Sequence, residues 1–140
     1  MWLQIFGETN ISLYDDGAIM MMPNFFFSQM VLGKNGKFSM CGTLNGIVTP
    51  LLTPVEVMYP LRCIQVACGR KHILALMEGG FVLSWGTGYF GQLGHGDDSS
   101  WDSPKMISAL EPSKIGSRIV QIACGGSHSG ALTDSGRIFM

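Results

Sequence analysis

Short apolar runs separated by turn dipeptides form the main pattern of this 140-residue chain. Four dipeptides are flanked by apolar residues on both sides: Asp16-Gly17, Asn35-Gly36, Gly79-Gly80 and Ser135-Gly136. Each accepts the positive φ of a tight two-residue turn, so each predicts an antiparallel β-hairpin. No window of comparable length has a convincing 3.6-residue period, so helix is a minor expectation. The pattern predicts an all-β protein.

A stretch of 21 residues occurs twice in the chain: residues 64–84 align with residues 120–140 without a gap, at a constant offset of 56. Eight of the 21 aligned positions are identical, and several others exchange only isoleucine for valine. A repeat of this length predicts a solenoid, a propeller or an array. In the first copy the identical positions are Gln65, Ala67, Cys68, Gly69, His72, Ala75, Leu76 and Gly80.

One complete repeat is expected within residues 61–119, with four strands near residues 64–68, 72–77, 81–85 and 105–109. Side chains alternate between the two faces of a strand. On the first strand Ile64, Val66 and Cys68 should therefore share one face, and Gln65 and Ala67 the other. Both faces are small or apolar, as expected for a sheet that lies between two neighbouring sheets.

The remaining chain is divided around this complete repeat. Residues 1–60 are interpreted as degenerate N-terminal units of the same kind, and residues 120–140 as the start of a further, truncated repeat. Gly36 and Gly80 each precede a second glycine by six residues, and Cys41 then takes the place of Trp85. Residues 20–27 fit no part of the repeat.

The motifs of the complete repeat resemble those of the regulator of chromosome condensation repeat family. They are Ala67-Cys68-Gly69 followed by His72, then Trp85-Gly86, and then Gly91-Gln92-Leu93-Gly94. The resemblance implies a partial β-propeller of antiparallel blades, a fragment of the family's seven-bladed fold, because propellers close with roughly four to eight blades. The implied structural repeat positions are Cys68, Gly69, His72, Gly80, Trp85, Gly86, Gly91, Gln92, Leu93, Gly94, Cys124, Gly125, His128 and Gly136.

Composition narrows the functional classes. The net charge of −1 does not indicate electrostatic binding of nucleic acid. No apolar run approaches the ~18 residues of a membrane span, and the N-terminus lacks the basic region of a signal peptide. The four cysteines are interpreted as reduced and buried, which predicts an intracellular protein, cytoplasmic or nuclear.

Several groups of residues in the sequence have spacings that are compatible with ligand or metal binding. Gly86, Gly88 and Gly91 have dinucleotide-binding spacing, but no helical pattern follows them, so turn glycines are favoured. Cys68 with His72, and Cys124 with His128, could each offer two metal ligands, whereas structural zinc needs four that converge. The alternative is that each imidazole caps a strand or bonds backbone in the neighbouring turn.

On that structural interpretation, His128→Ala should destabilise the fold by about 1–3 kcal/mol through unpaired buried backbone groups. His95 lies near Asp97, Asp98 and Asp102 in a loop that is interpreted as solvated. No catalytic constellation is found, so the sequence predicts no enzyme, no cofactor and no metal.

The loop between the third and fourth predicted strands is the candidate for recognition, because loops on a rigid β scaffold commonly bind partners. Asp97, Asp98 and Trp101 are predicted to contact a protein partner, whereas Tyr89, Phe90 and Leu93 are predicted to pack against the adjacent blade. The family resemblance implies a protein-interaction scaffold. It also leaves open a guanine nucleotide exchange factor for a Ras-like small GTPase. A kelch-type propeller is a weaker alternative, since the downstream tyrosine and tryptophan of that motif are absent.

Overall fold

The computed structural model describes residues 61–140 throughout and, before them, the backbone of five strands. Those strands are β1 (Ser12–Tyr14), β2 (Gly17–Met21), β3 (Gln29–Gly33), β4 (Phe38–Leu44) and β5 (Ile47–Pro54). They pair in sequence order as one antiparallel sheet, sheet 1.

Two further antiparallel sheets follow. Sheet 2 contains β6 (Cys63–Cys68), β7 (His72–Met77), β8 (Val82–Gly86) and β9 (Trp101–Met106). Sheet 3 contains β10 (Ile119–Cys124), β11 (Ser129–Thr133) and β12 (Ile138–Phe139). A 3₁₀ turn (Ser108–Leu110) and a short helix α1 (Pro112–Ile115) connect the last two sheets. The prediction of an all-β protein is confirmed.

All four predicted hairpins occur as antiparallel strand pairs: β1–β2, β3–β4, β7–β8 and β11–β12. At the third turn Gly79 and Gly80 have φ values of 90° and 91°. Gly136 in the fourth turn has a φ of 83°. A side chain at these positions would strain the backbone, so glycine is what lets these turns form.

The two copies of the repeat have the same strand register. Gln65 lies opposite Leu76 and Gln121 opposite Leu132, and both sheets have a bulge just before that pair. The bulge turns Ile64 and Val120 outward, and these side chains are 44% and 50% exposed. The prediction that Ile64 shares a buried face with Val66 and Cys68 is therefore wrong for Ile64, because a bulge breaks the alternation.

The fourth strand of the complete repeat begins and ends earlier in the chain than the predicted residues 105–109. β9 covers Trp101–Met106, whereas residues 108–110 form the 3₁₀ turn. β9 contains Pro104, which cannot donate a hydrogen bond to a neighbouring strand. β9 lies at the edge of sheet 2, where that missing donor is tolerated.

Sheet 1 lies within residues 1–60, the region that the sequence assigns to degenerate N-terminal units. It has five strands, and β4 pairs antiparallel with β5, a strand pair that the turn dipeptides considered above did not predict. Its β3–β4 pairing places Gln29 opposite Cys41, as Ile73 lies opposite Trp85 in sheet 2. Met20 and Met21 belong to β2, and residues 22–27 of the unassigned stretch lie outside the described residues. The divisions at residues 60 and 119 stay predictions.

Apolar side chains cover both faces of sheet 2. On one face Val66, Ile73, Leu83 and Trp85 form a buried cluster. The opposite face packs against sheet 3, and that cluster contains Leu74, Leu76, Val82, Ile107, Ile119, Ile122 and Ala131. Burial of each large apolar side chain contributes about 1.5–3 kcal/mol.

A polar contact also joins sheets 2 and 3. The Gln65 Nε2 donates to the carbonyl oxygen of Ile122 at 3.0 Å, and Gln65 Oε1 accepts from the Ile122 N–H at 3.0 Å. Sheet 3 is therefore fixed against sheet 2 by packing and by hydrogen bonds. Among the described residues, no helix has the length and hydropathy of a membrane span.

Candidate partner-binding loop

Residues 87–100, here named the rim loop, connect β8 to β9. The loop begins where the Thr87 N–H donates to the Lys71 carbonyl oxygen at 2.7 Å. Two tight turns follow. In the first, the Gly91 N–H donates to the Gly88 carbonyl oxygen at 2.8 Å, and in the second the Gly94 N–H donates to the Gly91 carbonyl oxygen at 3.0 Å. Gly91 and Gly94 have φ values of 73° and 72°. The glycines therefore form turns, and no helix begins here to receive a pyrophosphate.

The returning half of the rim loop packs on its first half. The Gly88 N–H donates to Ser100 Oγ at 3.1 Å, and a side chain at Gly88 would overlap the Ser99 carbonyl oxygen. Asp97 Oδ1 accepts from the Ser99 N–H at 3.0 Å. These contacts hold the loop in one compact conformation.

Gln92 and Leu93 anchor the rim loop to the protein interior, with exposures of 6% and 1%. The buried Ser84 hydroxyl donates to the Leu93 carbonyl oxygen at 2.7 Å, and His95 Nε2 lies 2.9 Å from the same hydroxyl oxygen. Because a hydroxyl has one proton, His95 is the donor in the second bond. Ser84 and His95 have the distance of a nucleophile and its base, but Ser84 is fully buried and its proton is already engaged.

A second serine–histidine pair crosses from sheet 2 to sheet 3. The Ser129 hydroxyl donates to the Gln92 carbonyl oxygen at 2.7 Å and lies 2.8 Å from His72 Nε2. By the same proton count, His72 donates from Nε2 to Ser129. Burial lowers the pKa of His72 to about 4, so the ring is neutral at neutral pH. His72 Nδ1 is buried and has no hydrogen-bond partner.

The Cys-Gly-x-x-His motif has a steric reason. The His72 ring lies against the α-carbon of Gly69, and the His128 ring lies in the same way against Gly125. A side chain at either glycine would overlap the imidazole. The two histidines differ in burial, because His72 is fully buried whereas His128 is exposed. The expectation that His128 satisfies buried backbone groups is therefore wrong, and His72 has the buried position.

Within residues 61–140 no three potential metal ligands converge around either Cys-x-x-x-His pair. Burial is the main cause that raises the pKa of the Cys68 thiol, with a smaller contribution from Cys124. Burial also raises the pKa of Cys124 to about 12. A protonated thiol is a poor metal ligand and a poor nucleophile.

The aromatic tip of the rim loop is exposed. Tyr89 is 72% and Phe90 76% exposed, so the prediction that these two side chains pack against the adjacent blade is wrong. Leu93, for which the same packing was predicted, is buried. Phe90 also borders a groove of about 390 Å³ between sheets 2 and 3, whose walls include Leu93 and Ile107. Exposure of two adjacent large aromatics could not be read from the sequence, since apolar residues are usually buried.

The three residues predicted to contact a partner occupy different environments. Asp97 and Asp98 are exposed. Trp101 is 36% exposed, and Lys105 Nζ lies 3.6 Å from its ring centroid, a cation–π contact. The His95 ring packs against Trp101 edge-on at 6.2 Å. Trp101 therefore already has intramolecular contacts, whereas the two acidic residues are presented to solvent.

Two family descriptions match the region that contains this loop. The regulator of chromosome condensation (RCC1) repeat matches residues 79–132 in one and residues 63–92 in the other. The chain belongs to the RCC1 repeat family. It is also similar to mouse RCC1 domain-containing protein 1, with 31% identity over 148 residues that cover 96% of this chain and 38% of that protein. It is 39% identical to the human E3 ubiquitin-protein ligase HERC2 over 112 residues, 79% of this chain and 2% of HERC2. The chain thus spans well under half the length of these relatives.

Solved structures of RCC1 proteins show the same fold. Yeast RCC1 (Prp20) bound to Kap60 gives a TM-score of 0.68 at 14% identity, over 97% of this chain and 44% of that chain. A structure of Prp20p from Saccharomyces cerevisiae, described with its binding to Gsp1p and histones, gives 0.62 at 21% identity, over 89% and 34%. The three sheets are blades of a partial β-propeller, as the sequence predicted.

Proposed function

We propose that this chain is a non-catalytic protein-interaction module of the RCC1 repeat type, and that the tip of its rim loop contacts the partner. The observation that carries the proposal is the exposure of Tyr89 and Phe90, at 72% and 76%. Adjacent exposed aromatics are typical of the residues that dominate binding energy at protein interfaces.

The loop is well suited to present these rings. Its tight turns and the Gly88–Ser100 contact fix the backbone on either side of the tip. A tip that is already ordered loses little conformational entropy when a partner binds. Asp97 and Asp98, exposed farther along the same loop, would form part of a polar rim around the aromatic centre.

The hydrogen bonds of Ser84 and Ser129 support a non-catalytic role. Ser84 donates its proton to the Leu93 carbonyl oxygen, and Ser129 donates its proton to that of Gln92. Neither hydroxyl is available to attack a substrate. The structural repeat positions, including Gly69, Gly125 and Trp85, are proposed to serve the fold. Residence in the cytoplasm or nucleus stays a prediction.

Exchange of guanine nucleotide on a small GTPase is the second candidate, because the similar yeast protein Prp20p was described with binding to Gsp1p. Such an activity would accelerate the release of fluorescent GDP from the GTPase. A pure interaction module would bind its partner and leave that release rate unchanged.

The test compares the full 140-residue chain with a Tyr89→Ala/Phe90→Ala double variant and with a Val120→Ala control. Val120 is also an exposed apolar residue, but it lies on β10 rather than on the rim loop. Binding to purified Gsp1p and histones, and capture from cell extract, would be measured with all three. We expect the double variant to lose at least about tenfold in affinity while the control binds normally. Equal binding by all three proteins would contradict the proposal.

A further inference from the structure

A short chain of hydrogen bonds links sheet 3 to the exposed tip of the rim loop. The Ser129 hydroxyl donates to the Gln92 carbonyl oxygen at 2.7 Å. The side chain of the same glutamine then holds the tip, because Gln92 Oε1 accepts from the Phe90 N–H at 2.8 Å. Gln92 is almost completely buried, so its side chain is held in place on the protein side of this contact.

The internal repeat shows that the hydroxyl is not needed for the fold at this position. The residue equivalent to Ser129 in sheet 2 is Ile73, which is fully buried in an apolar cluster with Trp85. Both residues occupy the same register, opposite Cys124 and Cys68 respectively. A hydroxyl at position 129 therefore serves something other than strand pairing, and its hydrogen-bond partners are Gln92 and His72.

We infer that Ser129 is a positioning residue for the partner-binding tip: through Gln92 it fixes the backbone at Phe90. The loop of one blade is then ordered by a side chain of the next blade, and the tip is in its binding conformation only when sheets 2 and 3 are docked. His72 completes the arrangement, since its Nε2–H donates to Ser129 and leaves the serine proton for Gln92. This inference rests on the proposed function for its biological meaning, but not for its test.

The test uses a matched pair of variants in the full chain without any partner. Ser129→Thr keeps the hydroxyl. Ser129→Val has the shape of the threonine variant but lacks the hydroxyl, so the two variants differ only in that group. Residue-resolved amide hydrogen exchange, measured by NMR, reports the Phe90 N–H directly. We expect exchange at Phe90 to be about tenfold faster in the valine variant and within about twofold of the original rate in the threonine variant. Amides of β7 and β8 should exchange at unchanged rates in both.

Two results would overturn the inference. Equal protection of Phe90 in the valine and threonine variants would show that the hydroxyl does not hold the tip. A uniform acceleration over β7, β8 and Phe90 in the valine variant would show that Ser129 only stabilises the sheets. Ser129→Ala provides a second variant without the hydroxyl, and a failure of both to fold would count against a positioning role as well. Loss of binding in the Tyr89→Ala/Phe90→Ala double variant is a separate result and tests the proposed function alone.

Discussion

Gln65 makes two hydrogen bonds to the backbone of Ile122, one donated and one accepted, both 3.0 Å long. The two residues lie on β6 and β10, the first strands of sheets 2 and 3. One amide side chain thus satisfies both polar groups of a residue whose own side chain is buried in the sheet interface. The equivalent residue in sheet 3, Gln121, is exposed.

This relationship gives a prediction with an internal control. Gln65→Ala leaves the N–H and carbonyl of Ile122 without their partner, and we expect it to lower the free energy of unfolding by about 1–3 kcal/mol. Gln121→Ala removes the same side chain from the equivalent exposed position and should change stability by less than about 0.5 kcal/mol. Urea denaturation of both variants measures the difference. Equal losses of stability in the two variants would show that the hydrogen bonds between Gln65 and Ile122 do not contribute to the free energy of unfolding.

The glycine of the Cys-Gly-x-x-His motif gives a second prediction. A β-carbon at Gly69 would overlap the His72 ring and approach the Gly125 carbonyl oxygen to 2.8 Å. Because both neighbours are packed, Gly69→Ala should destabilise the protein by about 1–3 kcal/mol. Gly126→Ala is the control, since a β-carbon there meets nothing within 4 Å. Thermal unfolding should show a clear loss for the first variant and almost none for the second.

Stability should depend on pH through His72. Burial lowers its pKa from 6.5 to about 4, so between these values the unfolded chain binds a proton that the folded chain does not. The contribution of neutral His72 to the free energy of unfolding is therefore fully present above pH 6.5. It falls as the pH is lowered toward 4, by up to about 1.4 kcal/mol per pH unit. Burial and Lys105 also lower the pKa of His95, which adds a contribution of the same sign.

The check is a series of urea unfolding curves at pH 7.5, 6 and 5 for the original chain and for His72→Gln. The variant cannot titrate at this position, so its stability should fall less steeply over the same range. Parallel pH profiles for the two proteins would mean that His72 is not desolvated in the folded state.

The repeated hairpins were predictable because the turn dipeptides determine them locally. Gly79-Gly80 and Ser135-Gly136 occur at equivalent places in the two copies, and the structure gives both the same turn geometry and strand register. Asn45-Gly46 is the same kind of dipeptide and lies in the sequence between β4 and β5, so the local signal for that strand pair is also present in the sequence. The propeller was predicted from the family resemblance, and the pattern of turns and apolar runs predicted the same all-β class.

Other features could not be predicted, since they depend on tertiary contacts. β9 contains Asp102, Ser103 and Pro104, a poor strand sequence that forms a strand because it pairs with the edge of β8. The exposure of Tyr89 and Phe90 depends on turns that direct the chain outward, and no local pattern marks it. The difference between buried His72 and exposed His128 likewise depends on tertiary contacts, because their local motifs are the same and His72 contacts Ser129 of sheet 3.

The most direct test of the proposed interaction module is site-specific photocrosslinking in cells. A photoreactive phenylalanine would be placed at position 89, at the exposed tip of the rim loop, and in a separate protein at position 120, which is also exposed but lies on β10. We predict discrete protein adducts from position 89 and none from position 120. Adducts from position 120 alone, or from neither position, would contradict a partner-binding role for the rim loop.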